Sequence, residues 1–307
     1  MGSACAHLAI LGPGVSETRD HDGSSLSLNV VERLDALRRE RAQLRGTVGF
    51  VPTMGALHRG HASLLERARR ECDSVVCSIF VNPTQFGPGE DFEAYPRTVE
   101  DDLSLCRGAG VDLVWTPQVS DIHLPGCETE VRVSGLGSRF EGASRPGHFQ
   151  GVATVVAKLF GATSPHKAFF GQKDLQQLFL IRQMTRDLLM PIEIVGVTTA
   201  RGDNGLALSS RNKYLTQEQR EEAGAIYRGL KKVAQAFAEG ERDVSRLEEV
   251  FRRELGTMQD AQVERFDLLE AGLARKFQEG ESVESGFCSV AVRYAGVRLI
   301  DNIELCS

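Results

Sequence analysis

Apolar and polar positions along the chain fall into short blocks that favour strand and helix in turn. Val48, Phe50 and Val51 form a compact apolar run that stops at Pro52, and a second run, residues 75–81, ends at Asn82-Pro83. Between them Leu64, Leu65, Ala68 and Cys72 recur at helical spacing. The pattern predicts strand, turn, helix and strand over residues 47–81, hence one βαβ unit with parallel strands. Downstream, 111–115 reads as a strand, 131–133 as extended, 152–160 as a helix, 168–170 as a strand, 175–189 as a helix and 192–197 as a strand. Thr98 with Asp101 has the form of a capping box, opening a helix that stops near Gly108 and Gly110. Upstream, 26–44 reads as one amphipathic helix with Val30, Leu34, Leu37 and Leu44 on or near one face. Such alternation predicts an α/β fold built on a doubly wound parallel sheet, Rossmann-like in plan.

The pattern changes after about residue 212. Residues 216–239 and 242–255 read as helices, and 263–269, 287–294 and 297–303 as strands of a small sheet. The expected division is a tail at 1–25, a Rossmann-like domain at 26–212 and a smaller α+β domain at 213–307.

In a parallel sheet, ligands collect at the carboxyl ends of the strands, where the free N–H groups and the dipole of the following helix favour anions. His58 and His61 fall at such a place. Spaced by three, they share a face of the first helical turn and can both donate to phosphate oxygens, while Gly55 and Gly60 let backbone approach a ligand. A lone His-x-x-His is more often incidental than functional. Zinc is disfavoured, since Cys72 and Cys77 lack close paired spacing and 75–81 looks like a buried strand. Two further loops have the same character. In Gly171-Gln172-Lys173-Asp174 a strand end meets a helix start; Lys173 can reach a phosphate, and Asp174 a ribose hydroxyl or a metal ion. In Leu208-Ser209-Ser210-Arg211 two hydroxyls and a guanidinium can bond phosphate oxygens. Read blandly, the first is a solvated turn and the second a helix cap with a surface arginine. Three anion-suited loops on one sheet point together to a polyphosphate, most simply a nucleoside triphosphate.

Composition narrows the class. A net charge of -6 gives no global attraction to nucleic acid. Seven cysteines without close pairs suit reduced thiols, hence a cytoplasmic setting. No apolar run approaches the ~20 residues that span a bilayer. Residues 1–25 read as a disordered appendage: no Lys or Arg precedes the apolar stretch at 4–11, Glu17, Asp20 and Asp22 oppose a transit peptide, and Ala6 stands where a myristoylation signal wants Ser or Thr.

Several independent stretches carry a resemblance. PTMGALHRGH at 52–61, SIFVNPTQF at 78–86, YPRTVEDDL at 95–103, EGASRPGHFQGVATVVAKLF at 141–160, FFGQKDLQQLFLIRQM at 169–184 and GLALSSRNKYLT at 205–216 closely resemble the pantothenate synthetase family of pantoate-beta-alanine ligases. The resemblance implies a HIGH-motif nucleotidyltransferase fold and a two-step reaction. ATP and (R)-pantoate would give pantoyl adenylate and pyrophosphate, and beta-alanine would then displace AMP. It also implies roles. Met54, Gly55, Ala56, Leu57, His58, Arg59, Gly60 and His61 would line the ATP site, with His58 and His61 on the phosphates and His61 as proton donor. Gly171, Gln172, Lys173 and Asp174, with Ala200, Leu208, Ser209, Ser210 and Arg211, would complete it. Gln85 and Gln177, with Asn82 and Arg145, would hold pantoate, and Gln85 would also lie near beta-alanine. The catalytic set is expected to be His61, His58, Lys173, Ser209, Ser210 and Arg211. Mg²⁺ is expected as cofactor, held mainly by ATP phosphates with Asp174 the candidate protein ligand, and the resemblance implies a homodimer in which 26–212 binds nucleotide and pantoate and 213–307 closes over them as a lid.

Three positions depart from the family pattern. Gln172 stands for a usual Glu, Thr198 for a usual Pro, and His123-Leu124-Pro125 for a usual Tyr-Pro. Other readings share part of the signal. A tRNA-charging enzyme would share the histidine motif, a simple adenylyltransferase the phosphate loops, and a non-catalytic nucleotide sensor the ATP site alone.

Overall fold

The computed structural model describes residues 28–256, 258–273, 275–277 and 285–306, so the appendage expected at 1–25 lies outside the described residues. Strand β1 (Asn29–Val31) leads to helix α1 (Leu34–Gln43), β2 (Val48–Thr53), α2 (Arg59–Glu71), β3 (Ser74–Ile79), the 3-10 turn Pro83–Gln85, α3 (Val99–Gly108) and β4 (Leu113–Trp115). Two single-turn helices follow, α4 (Val119–Ile122) and α5 (Glu141–Ser144). Then come α6 (His148–Thr163), β5 (Lys167–Gly171), the 3-10 turn Gln172–Asp174, α7 (Leu175–Asp187) and β6 (Glu193–Val197).

These strands form one six-stranded parallel sheet in the order β1-β4-β3-β2-β5-β6. The chain builds one way from β2 through β3 and β4, then returns to lay β5 and β6 on the other side, so the topological switch lies between β2 and β5. Side chains alternate between two cores. Phe50, Trp115, Phe160 and Phe170 pack on one face with Leu37 of α1 and Met184 of α7. Val51, Val75, Val114 and Phe169 pack on the other with Leu65 and Ala68 of α2 and Cys106 of α3.

β2 pairs with β3 along its whole length, Val48↔Ser74 to Thr53↔Ile79, but with β5 only at Gly49↔Lys167 and Phe50↔Ala168. Pro52, expected to end the strand, therefore lies inside it. Thr53 bonds toward β3, its carbonyl accepting from Phe80 N–H at 3.0 Å. The main-chain groups of Pro52 thus point to the β5 side, where pairing has already stopped, and its missing N–H breaks no ladder bond. The same early stop opens the crevice of the site.

Four local expectations need correction. Residues 26–44 are not one helix: Asn29–Val31 pairs in parallel with Leu113–Trp115, and only Leu34–Gln43 is helical. Burial of Val31 and the bond from Trp115 Nε1 to the Glu32 carbonyl (2.9 Å) fix this edge strand. The Thr98 side chain makes no cap bond with the helix backbone; its hydroxyl donates instead to Asp102 Oδ1 at 3.1 Å, because Asp102 turns inward beneath the histidine motif. Residues 131–133 join no strand. The helix expected at 216–239 is broken at Gly224 into α8 (Gln217–Ala223) and α9 (Ala225–Ala238), where a Cβ would meet the Asn204 carbonyl at 2.6 Å.

After α9 come α10 (Val244–Leu255) and the antiparallel sheet β7 (Gln262–Glu270), β8 (Ser285–Tyr294) and β9 (Val297–Cys306), in that order. Val233 and Phe237 of α9, Phe251 of α10 and Val290 and Leu299 of the sheet share a core that also takes in Leu206. Polar contacts tie this unit to the parallel sheet. Arg298 and Arg265 donate to the buried Glu141 carboxylate, with Arg298 Nη2 at 2.9 Å from Oε2. Asn302 Nδ2 donates to the carbonyls of both Gln172 and Lys173 at 2.9 Å. Among the described residues, no helix is long and apolar enough to cross a membrane.

Candidate active site

The carboxyl ends of β2 and β5 bring the three anion-suited loops together. A cleft of about 230 Å³ is lined by Met54, His58, Gly60 and His61 from the first, Gly171, Lys173 and Asp174 from the second, and Leu208, Ser209, Ser210 and Arg211 from the third. Ala200 and all four expected substrate residues, Asn82, Gln85, Arg145 and Gln177, line it too. Gly55, Ala56, Leu57, Arg59 and Gln172 are not on its wall. The first three belong to the turn that aims the histidines. Gly55 and Ala56 both adopt left-handed backbone, φ 79° and 50°. The Asp102 carboxylate accepts from Ala56 N–H (3.0 Å) and Leu57 N–H (2.7 Å), holding a conformation that is unfavourable for Ala56.

The histidines are wired as a capping box at the start of α2. His58 Nδ1 accepts from Gly60 N–H at 3.1 Å, and His61 Nδ1 accepts from His58 N–H at 3.3 Å. Because each Nδ1 accepts from a backbone N–H, each neutral ring carries its proton on Nε2 and has one donor there. Burial, then the charges of Lys173 and Lys213, lowers the His58 pKa to about 4. Burial, then His58 and Lys173, lowers that of His61 to about 3.

Both rings should therefore stay neutral from pH 7 to pH 5, and nitrogen-detected NMR of the free protein should show no titration of either and protons on Nε2. Their unfolded counterparts ionise near pH 6.5 and so bind more protons in that window. This contribution to stability is complete above about pH 6.5 and shrinks as pH falls toward the folded values.

The cations are already engaged. Arg211 makes a two-pronged pair with Asp91, Nε–Oδ2 3.0 Å and Nη2–Oδ1 2.7 Å. Arg145 pairs with Glu90, and Lys173 lies 3.5 Å from Asp174. Ser209 Oγ caps the next 3-10 turn by accepting from Arg211 N–H, so the cap reading of that loop holds alongside its place on the wall. Ser210 Oγ lies 3.2 Å from the buried Tyr95 hydroxyl. A larger cavity of about 500 Å³ adjoins the cleft through Arg145, Lys173, Asp174, Ser209 and Arg211 and extends to Arg293 and Arg298 of the small sheet.

Sequence reasoning missed Asp102, Tyr95 and His148. His148 Nε2 faces Arg145 Nη1 at 3.0 Å and its Nδ1 faces the Gln85 carbonyl at 2.7 Å. Burial, then Arg145, lowers its pKa to about 4. All three sit within the quoted motif stretches, but only their partners, distant in sequence, reveal them.

The pantoate-beta-alanine ligase family matches residues 28–304. The chain belongs to this family. Pantothenate synthetase of Roseiflexus sp. is 48% identical over 91% of this chain and 99% of its own, and that of Chloroflexus aggregans is 50% identical over 90% and 99%. Among solved structures, pantothenate synthetase of Thermus thermophilus superposes with a TM-score of 0.85 at 45% identity, covering 91% of this chain and all of its own. The Francisella tularensis ligase, solved as a complex with beta-gamma ATP and beta-alanine, gives 0.76 at 35% identity over 90% and 97%. The family's reaction is the chain's: the ATP-dependent condensation of pantoate with beta-alanine to pantothenate, with ATP as co-substrate. The fold class read from the sequence is that of these structures.

Proposed function

We propose that condensation proceeds through pantoyl adenylate, with each loop in a defined role. The pantoate carboxylate attacks the α-phosphorus of ATP, and pyrophosphate leaves. The amine of beta-alanine then attacks the acyl carbon, and AMP leaves with its electron pair. No side-chain nucleophile is required. The chain aligns the reactants and stabilises charge that develops on the phosphate oxygens.

The observation that carries this reading is the convergence of the three loops on one cleft at the switch between β2 and β5. His58 and His61 donate from Nε2 to phosphate oxygens, joined by Lys173, Ser209, Ser210 and Arg211. Met54, Gly60, Gly171, Asp174, Ala200 and Leu208 frame the nucleotide, while Gly55, Ala56, Leu57, Arg59 and Gln172 act from behind the wall by shaping the two turns. Gln85 and Gln177 hold pantoate, with Asn82 and Arg145 beside them. The Asp174 side chain, 48% exposed on the cleft, is the carboxylate within reach of a metal on the phosphates. Mg²⁺ on a nucleotide takes most of its ligands from phosphate and water and needs few from the protein. Mg²⁺ bound there would neutralise phosphate charge.

Residues 213–307 form the lid over the cleft, residues 26–212 the nucleotide domain, and the working unit is a cytoplasmic homodimer. A lid that excludes water protects a reactive acyl adenylate.

The test is pyrophosphate release from MgATP with pantoate alone, followed by AMP and amide on adding beta-alanine. Pantoate-dependent pyrophosphate in the first stage and pantothenate only in the second are expected. Pyrophosphate that appears only once beta-alanine is present would overturn the adenylate route.

A further inference from the structure

Asn82 is buried at 1% exposure, and backbone groups fix which way its amide points. Its Oδ1 accepts from Thr84 N–H (3.4 Å) and Thr84 Oγ1 (3.0 Å), and its Nδ2 donates to the Gly151 carbonyl (3.3 Å). A backbone N–H can only donate and a carbonyl can only accept, so the amide cannot be reversed. Gly151 lies against this turn so closely that a Cβ there would meet the Thr84 carbonyl at 2.3 Å.

Two consequences follow from that fixed amide. His123 Nε2 lies 2.9 Å from Asn82 Oδ1, so it must carry the proton and donate. Gln85 Oε1 lies 3.2 Å from Asn82 Nδ2, so it must accept. The Gln85 Nε2 group is thereby turned to the cleft, 2.9 Å from the Met54 sulfur. The main chain of the same residue is held independently. Arg145 Nη1 can only donate to His148 Nε2, which leaves the proton on His148 Nδ1 for the Gln85 carbonyl.

We propose that His123 is a positioning residue for substrate: its donor to Oδ1 steadies an Asn82 amide whose direction Thr84 and Gly151 set, and so keeps Gln85 placed as a hydrogen-bond donor to the carboxylate or hydroxyl oxygens of pantoate. The inference rests on the reading of Gln85 as a pantoate-binding residue.

The experiment compares His123→Phe, His123→Gln and Gln85→Ala in steady-state kinetics and thermal unfolding. Phenylalanine keeps a ring beside Phe80, whose centroid lies 6.1 Å from that of His123, and removes only the donor. His123→Phe should raise the KM for pantoate by about 3- to 10-fold, the worth of one neutral hydrogen bond, with the KM for ATP and the unfolding midpoint unchanged. His123→Gln, which restores a donor, should return the pantoate KM to within about twofold of the parent. An unchanged pantoate KM in His123→Phe overturns the relay, as does an equal rise for both substrates that glutamine fails to rescue. Gln85→Ala separates the two layers. If it leaves the pantoate KM unaltered, the reading of Gln85 falls and the relay with it; if it raises that KM while His123→Phe does not, only the relay falls.

Discussion

Lys173→Ala is expected to slow pantoate-dependent pyrophosphate release by about 10²- to 10³-fold, the loss seen when one preorganised donor to a developing charge is removed. The position makes the case. The side chain is 19% exposed and lies where the cleft meets the larger cavity, within range to depress both motif histidines. Its main-chain carbonyl is held by Asn302, so the side chain springs from a fixed base. Its neighbour Asp174 is a weak competitor at 3.5 Å and is half exposed, so a phosphate can take its place. A single-turnover assay that follows pyrophosphate, with ATP binding measured beside it, reads the effect on chemistry separately from affinity. A near-parental rate in the alanine variant would remove Lys173 from the catalytic set.

The second large effect is on stability. Burial pushes the Glu141 carboxyl up, but hydrogen bonds and charge from Arg298, with Arg265 behind them, more than reverse that and hold it below its usual range. Glu141 is the buried carboxylate that the two arginines share, while Arg298 also pairs with Glu264 and Arg265 with Asp267. Glu141→Ala should lower the free energy of unfolding by about 1–3 kcal/mol, most of it from guanidinium donors of Arg298 and Arg265 left without an acceptor. Urea unfolding at neutral pH checks the size. Because the carboxyl is depressed in the folded state, its contribution is complete above the unfolded value near pH 4.3 and fades as pH falls through the folded one, so parent and variant should converge in acid. Parallel curves at every pH would assign the loss to packing instead.

The parallel sheet was legible because its inner strands are continuous apolar runs bounded by Gly and Pro, and its helices keep a 3.6-residue period. What failed was short or local. Asn29–Val31 is a three-residue edge strand whose apolar positions also fit the helical period of the helix that follows it, and only the partner strand decides between them. Thr98 and Asp101 match a capping box by spacing, yet Asp102, one place along, takes the hydroxyl because it faces inward to serve Ala56 and Leu57. In the site, the loops that carry His58, Lys173 and Ser209 were readable as loops. Asp91, Glu90, Asp102 and His148 were not, since each matters through a partner 45 to 120 residues away.

The bond from Asn302 to the Gln172 and Lys173 carbonyls spans 130 residues of chain. During synthesis the histidine turn, the lysine loop and the serine loop all emerge before the strand that steadies the second of them. A growing chain thus passes through a stage in which it has every phosphate-facing side chain but lacks the brace for its lysine. Order of synthesis, as much as geometry, delays the point at which the nucleotide loops are complete.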